Sequence, residues 1–134
     1  MKRITLMAIC LLAAIAMQAQ QIKYTIKYTY AFDVQKNDYI KKLDYAEGTV
    51  IRDGDKSIVL NGLRYIITSK DEEKKTSEEK TLQYTVKSEE GTEYVVCFKE
   101  YYTYPAELVY QIIIFNTSNP YQWLYYITEK PENI

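Results

Sequence analysis

Across 134 residues the chain sets 17 basic against 18 acidic side chains, carries 15 tyrosines and has no histidine. The missing imidazole excludes Ser-His-Asp and Cys-His catalysis and every zinc site that uses histidine. With no basic stripe to neutralise a run of phosphates, nucleic acid is not an expected partner.

Lys2 and Arg3 precede an almost wholly apolar run over residues 4–16, and residues 17–20 turn polar around the small Ala19. That order predicts a secretory signal peptide over residues 1–20, cleaved near Gln20, and a secreted or periplasmic product. The apolar run is shorter than the ~20 residues that cross a bilayer and no later run approaches that length, so no membrane span is expected. Ile9, not a small residue, precedes Cys10, which argues against a lipid anchor there. Removing Lys2 and Arg3 from 17 basic residues leaves 15 against 18 acids, a net charge of −3 on residues 21–134. These 114 residues suffice for one domain with one core. Cys97 is then the one remaining cysteine, expected to be buried as a small apolar group, with pairing between chains as the alternative.

Residues 22–32 alternate strictly, with Ile22, Tyr24, Ile26, Tyr28, Tyr30 and Phe32 on one side and Lys23, Thr25, Lys27, Thr29 and Ala31 on the other. Period two predicts a strand with one dry face. Residues 38–47 fit either a short helix, capped by Asp38 and stopped by Gly48, or a loop. A two-residue turn at Gly54 and Asp55 would set Ile51 opposite Ile58, and Asn61-Gly62 would pair Leu60 with Leu63 and Ile58 with Tyr65. Residues 70–80, KDEEKKTSEEK, offer no apolar side chain to bury and read as a solvated, mobile loop. Glu89-Glu90-Gly91 suits a turn that aligns Val86 with Tyr94, Tyr84 with Val96 and Leu82 with Phe98, leaving Cys97 on the opposite face across from Gln83. Residues 108–115 are apolar except Gln111 and predict an interior strand covered on both sides. A last strand over 121–128 places Trp123 and Tyr125 on one face and Leu124 and Tyr126 on the other, before a tail over 129–134.

About eight strands joined by tight turns predict an all-β antiparallel meander closed into a small barrel or folded into a sandwich. A small up-and-down barrel with a short helix after its first strand resembles the calycin type, including the lipocalins, although the Gly-x-Trp motif of the first lipocalin strand is absent.

No catalytic constellation, metal site or cofactor motif emerges. Asp53-Gly54-Asp55 lacks the spaced acids of a calcium loop, and the four glycines are scattered singly at turns rather than cradling a phosphate. Glu100 and Glu107 flank an aromatic segment, as a two-carboxylate hydrolase would need, and surface acids explain them as well. Asn116-Thr117-Ser118 matches the N-glycosylation pattern. Tyr101, Tyr102 and Tyr104 gather beside Pro105, and with Trp123 they form the candidate binding surface, since tyrosine gives stacking area with a hydrogen-bonding tip. The expected function is a non-enzymatic binding module for a small apolar or sugar-like ligand in a barrel mouth, or for a protein partner. The alternatives are an assembly or inhibitor protein acting by strand-edge pairing and, last, a carboxylate-based hydrolase.

Overall fold

A computed structural model of the chain describes residues 21–43, 48–103 and 107–134. The strands are β1 (Gln21–Asp33), β2 (Asp38–Leu43), β3 (Gly48–Asp53), β4 (Ser57–Leu60), β5 (Leu63–Lys70), β6 (Lys74–Lys75), β7 (Glu79–Ser88), β8 (Glu93–Thr103), β9 (Glu107–Asn116), β10 (Gln122–Thr128) and β11 (Glu132–Asn133). Eight of them follow one another antiparallel in the order β1, β3, β4, β5, β7, β8, β9, β10, and β10 pairs back onto β1. The expected meander is therefore a closed barrel, not a sandwich. β2 and β11 add to β1 and β6 adds to β7, outside the ring.

Eight strands leave an interior that side chains can just fill. Tyr84 and Val86 have no exposed surface, and Ile26, Val50 and Ile58 are 1% exposed. Phe98, Val96, Ile112, Ile114 and Tyr126 complete the core from the other side of the ring. The three consecutive isoleucines are all buried, Ile112 and Ile114 facing in and Ile113 facing out, as the apolar run on β9 predicts.

Four expectations are corrected. Residues 38–43 are strand β2, not a helix, paired to β1 with Thr29 opposite Leu43 and Asp33 opposite Asp38. The upper half of β1 offers a ladder that local helix signals cannot match, and the described residues contain no helix. Residues 44–47 lie outside the described ones. Second, the alternation of β1 breaks at Lys27, where the pairing with β10 shifts register between Ile26 and Tyr28. A bulge inserts one residue and reverses the faces beyond it, so Thr29 is buried at 4% exposure while Tyr28 is turned out at 42%. Third, Gly54, Asp55 and Lys56 form a three-residue connection closed by Asp53 and Ser57, with the Lys56 amide donating to the Asp53 carbonyl at 2.9 Å. The extra residue moves Val50 and Arg52 to the inner face in place of Ile51, because one step of register exchanges the two faces. Fourth, the tail contains β11, which pairs with Ile22 and Lys23.

The other turns form as read. Asn61 and Gly62 adopt positive φ of 48° and 84°, and Gly91 adopts 85°. The β7–β8 register matches position for position, from Leu82 opposite Phe98 to Lys87 opposite Glu93. The charged segment over 70–80 is exposed through Glu78 but hydrogen-bonded, since β6 sets Lys74 against Thr81 and the Thr76 amide donates to the Glu79 carbonyl at 2.8 Å.

Candidate functional site: the mouth of the barrel

The tight Asn61-Gly62 turn ends the wall formed by β4 and β5 early, while β1, β9 and β10 continue past it. The result is a cavity of about 530 Å³ at that end of the barrel, with Leu60, Tyr65, Ile114 and Tyr126 toward the core. Asn61, Asn116, Asn119 and Gln122 bring amides to it, and Tyr94, Tyr65 and Tyr126 bring rings with hydroxyls. No lining residue is ionised at neutral pH, in a chain of which 26% is charged. Burial pushes the Tyr65 and Tyr126 hydroxyls above the usual phenol range, so both remain protonated donors.

Two of the amides are fixed by backbone. The Asn61 Oδ1 accepts from the Thr49 amide at 2.9 Å, and a Cβ on Gly48 would lie 2.1 Å from that oxygen. Gly48 is thus required for the close approach of Asn61. The Asn116 Oδ1 accepts from the Ser118 amide at 2.8 Å, which leaves each amide nitrogen as a donor. Asn116 is half-buried at the end of β9, opposite Tyr94. Tyr94 meets Tyr65 edge to face at 5.5 Å between ring centroids, so the two rings brace each other.

The sequence-derived site residues separate. Trp123 lines the mouth, but its Nε1 donates to the Pro120 carbonyl at 2.8 Å and its ring stacks on Phe115 at 5.6 Å, with Tyr125 at 6.0 Å beyond. Tyr101 and Tyr102 lie at the other end of β8, on alternate faces, half-buried and 55% exposed respectively. Tyr104 lies outside the described residues. Glu107 is exposed at the start of β9 and Glu100 faces the closed end, so neither carboxylate lines the mouth.

What sequence reasoning missed is the opposite end, which Arg52 occupies. Its Nη1 donates to the Gly54 carbonyl and to the Tyr84 hydroxyl, each at 3.1 Å, and its guanidinium lies 5.6 Å from the Phe98 ring centroid. The Tyr84 hydroxyl donates in turn to Asp55 Oδ1 at 2.7 Å, and Lys70 reaches Asp55 Oδ2 at 3.4 Å. The hydrogen bond from Tyr84 is the largest influence holding the Asp55 carboxyl below its ordinary range. Asp53-Gly54-Asp55 is therefore a turn whose second acid anchors a tyrosine. Among the described residues no group of three or more His, Cys, Asp or Glu is placed to hold a metal ion. Cys97 carries a free thiol on the outer face, and burial pushes its pKa up. Comparison with protein-family models, curated proteins and solved structures yields no match.

Proposed function

We propose that this protein is an exported, non-enzymatic binding module whose mouth cavity takes a small uncharged ligand, apolar or sugar-like. The observation that carries this reading is the cavity's chemistry: room for a small molecule, an aliphatic and aromatic floor, a rim of amides and phenols, and no ionised lining group. A charged ligand would find no counter-charge there, whereas hydroxyls and apolar faces would both be matched. Export rests on Lys2, Arg3 and the apolar run behind them, and intact-mass measurement of the exported product should show a chain that begins near Gln20 or Gln21.

Trp123 is the chain's single tryptophan and lines the cavity, so its emission reports occupancy directly. Titration with Nile red as the apolar probe and maltohexaose as the sugar-like probe is expected to change that emission saturably for at least one of them. Tyr94→Ala should weaken the response about tenfold, the scale of losing one aromatic anchor. A flat titration with both probes, or unchanged affinity in Tyr94→Ala, would remove the mouth as the binding site.

A further inference from the structure

We propose that the mouth selects uncharged carbonyl compounds with an unbranched apolar tail, such as ketones and esters, and takes them tail first, an inference that rests on the reading of the mouth as the binding site. The floor of the mouth is not its end. Beneath it lies a void of about 10 Å³ that shares Leu60, Tyr65, Ile114 and Tyr126 with the mouth and reaches inward to Val96 and Ile112. That is the lower limit of room for one water-sized group, and the surface of the void is wholly apolar, so it favours a terminal methyl group over water. Tyr65 and Ile114 at the floor are 9% and 6% exposed, whereas Asn61, Asn119 and Gln122 at the rim are exposed. Polarity therefore rises from the core toward the opening, and a ligand that matches it enters with its apolar end leading.

The phenols choose the polar group. Tyr65 and Tyr126 border both the void and the mouth, and since the void has no polar surface their hydroxyls open on the mouth side. Among the described residues the hydroxyls of Tyr65, Tyr94 and Tyr126 have no hydrogen-bond partner, yet none of the three is fully buried. Burial, and after it the neighbouring phenol, raises the pKa of Tyr65 beside Tyr94 and of Tyr126 beside Tyr65, so the three hydroxyls adjoin and Tyr65 and Tyr126 stay protonated. The fixed amides of Asn61 and Asn116 add mainly donors, because each Oδ1 already accepts from a backbone amide that can only donate. The cavity thus offers more donors than acceptors. A carbonyl oxygen has two lone pairs and no proton, so it matches this set, whereas an alcohol must also place its own proton and a carboxylate would meet no cation.

The test titrates the isotope-labelled protein with methyl heptyl ketone, methyl heptyl carbinol, sodium nonanoate and methyl ethyl ketone, and reads binding from the backbone amide signals of Tyr94 and Asn116. Methyl heptyl ketone is expected to bind several-fold tighter than the carbinol of the same skeleton and at least about tenfold tighter than the short ketone, and nonanoate should not saturate. Cross-relaxation should connect the tail methyl of the long ketone to the Ile114 side chain. Tyr94→Phe and Tyr126→Phe should each bring the ketone and carbinol affinities closer together, and both variants should fold because no hydrogen bond within the protein is lost. The proposal is overturned if the long ketone binds no tighter than the carbinol or the short ketone, if nonanoate saturates, if both variants keep the parent ratio, or if the carbonyl end rather than the tail lies against Ile114. Failure of the long ketone to saturate a mouth that still binds Nile red or maltohexaose would overturn it too, and in all these cases the mouth remains the binding site. If Trp123 emission is flat with both of those probes and none of the four compounds saturates, the mouth is not a binding site and both proposals fall.

Discussion

The mouth and the base of this barrel share the same eight strands but use their polar residues in opposite ways. At the base, Arg52, Tyr84, Asp55 and Lys70 are joined in one continuous chain of hydrogen bonds. At the mouth, amides and phenols surround an open cavity with no ionised side chain. Groups that satisfy each other hold a fold together, whereas uncharged groups facing open space can be satisfied by a ligand at low desolvation cost. The contrast sets mutually bonded polar groups at one end against uncharged groups around open space at the other, and four substitutions can break or sharpen it.

The largest effect is expected from proline at the two kinds of turn. Asn61 defines the mouth rim at φ 48°, a value proline cannot adopt, and its amide donates to the Thr49 carbonyl at 2.9 Å. Asn61→Pro should cost about 3 kcal/mol or more. Glu78 is exposed on the base side and its amide makes only a 3.4 Å contact with Thr76 Oγ1, so Glu78→Pro should cost less than about 1 kcal/mol. Chemical denaturation of both variants checks this, and equal midpoints would mean that the rim turn does not fix the barrel's end.

Tyr84→Phe should come next. It removes the hydroxyl that links Arg52 to Asp55 in a fully buried position, a loss of about 1.5–3 kcal/mol for bonds to charged groups. The pH profile carries a second readout. Asp55 has a folded pKa depressed below 3.8, so its contribution is present above that value and fades as pH falls through the lower folded one. Tyr84→Phe should flatten that acid limb. At the other extreme, burial raises the pKa of Tyr24, Tyr65, Tyr84 and Tyr126 above 10.0, so their contribution is complete below pH 10.0 and declines as pH rises beyond it. With no histidine, thermal melting should vary little between these limbs.

The smallest effect has the opposite sign. Thr29 follows the bulge, is 4% exposed, and its Oγ1 has no hydrogen-bond partner. Thr29→Val keeps the shape and removes the orphan hydroxyl, so stability should rise by about 1 kcal/mol. A loss measured by calorimetry would show that the hydroxyl is matched by water in the wall just below the mouth.

How far the sequence could be read depended on whether a feature was decided locally. Asn61-Gly62 and Gly91 carry their conformations in their own chemistry, and the registers they set for β4–β5 and β7–β8 agree with the structure. Gly54-Asp55 is equally local but ambiguous between two and three residues, and the structure's choice turned Arg52 inward. The bulge at Lys27 has no local signal, because it arises where β1 must serve β3 with one half and β10 with the other. The mouth was illegible for the same reason. Asn61, Tyr94, Asn116 and Gln122 belong to separate strands or turns and meet only once the ring closes. Trp123 reaches the cavity, whereas the clustering of Tyr101 and Tyr102 in sequence reflects only their place at the far end of β8.

The placement of the described ends of the chain has a geometric consequence for presentation. The Ile134 amide donates to the Gln21 carbonyl at 3.0 Å, and the Glu129 amide to the Thr25 carbonyl at 2.9 Å, so both ends leave the barrel side by side at its base. A tether, fusion partner or support attached through either end would therefore hold the barrel by its base and point the mouth away from the point of attachment.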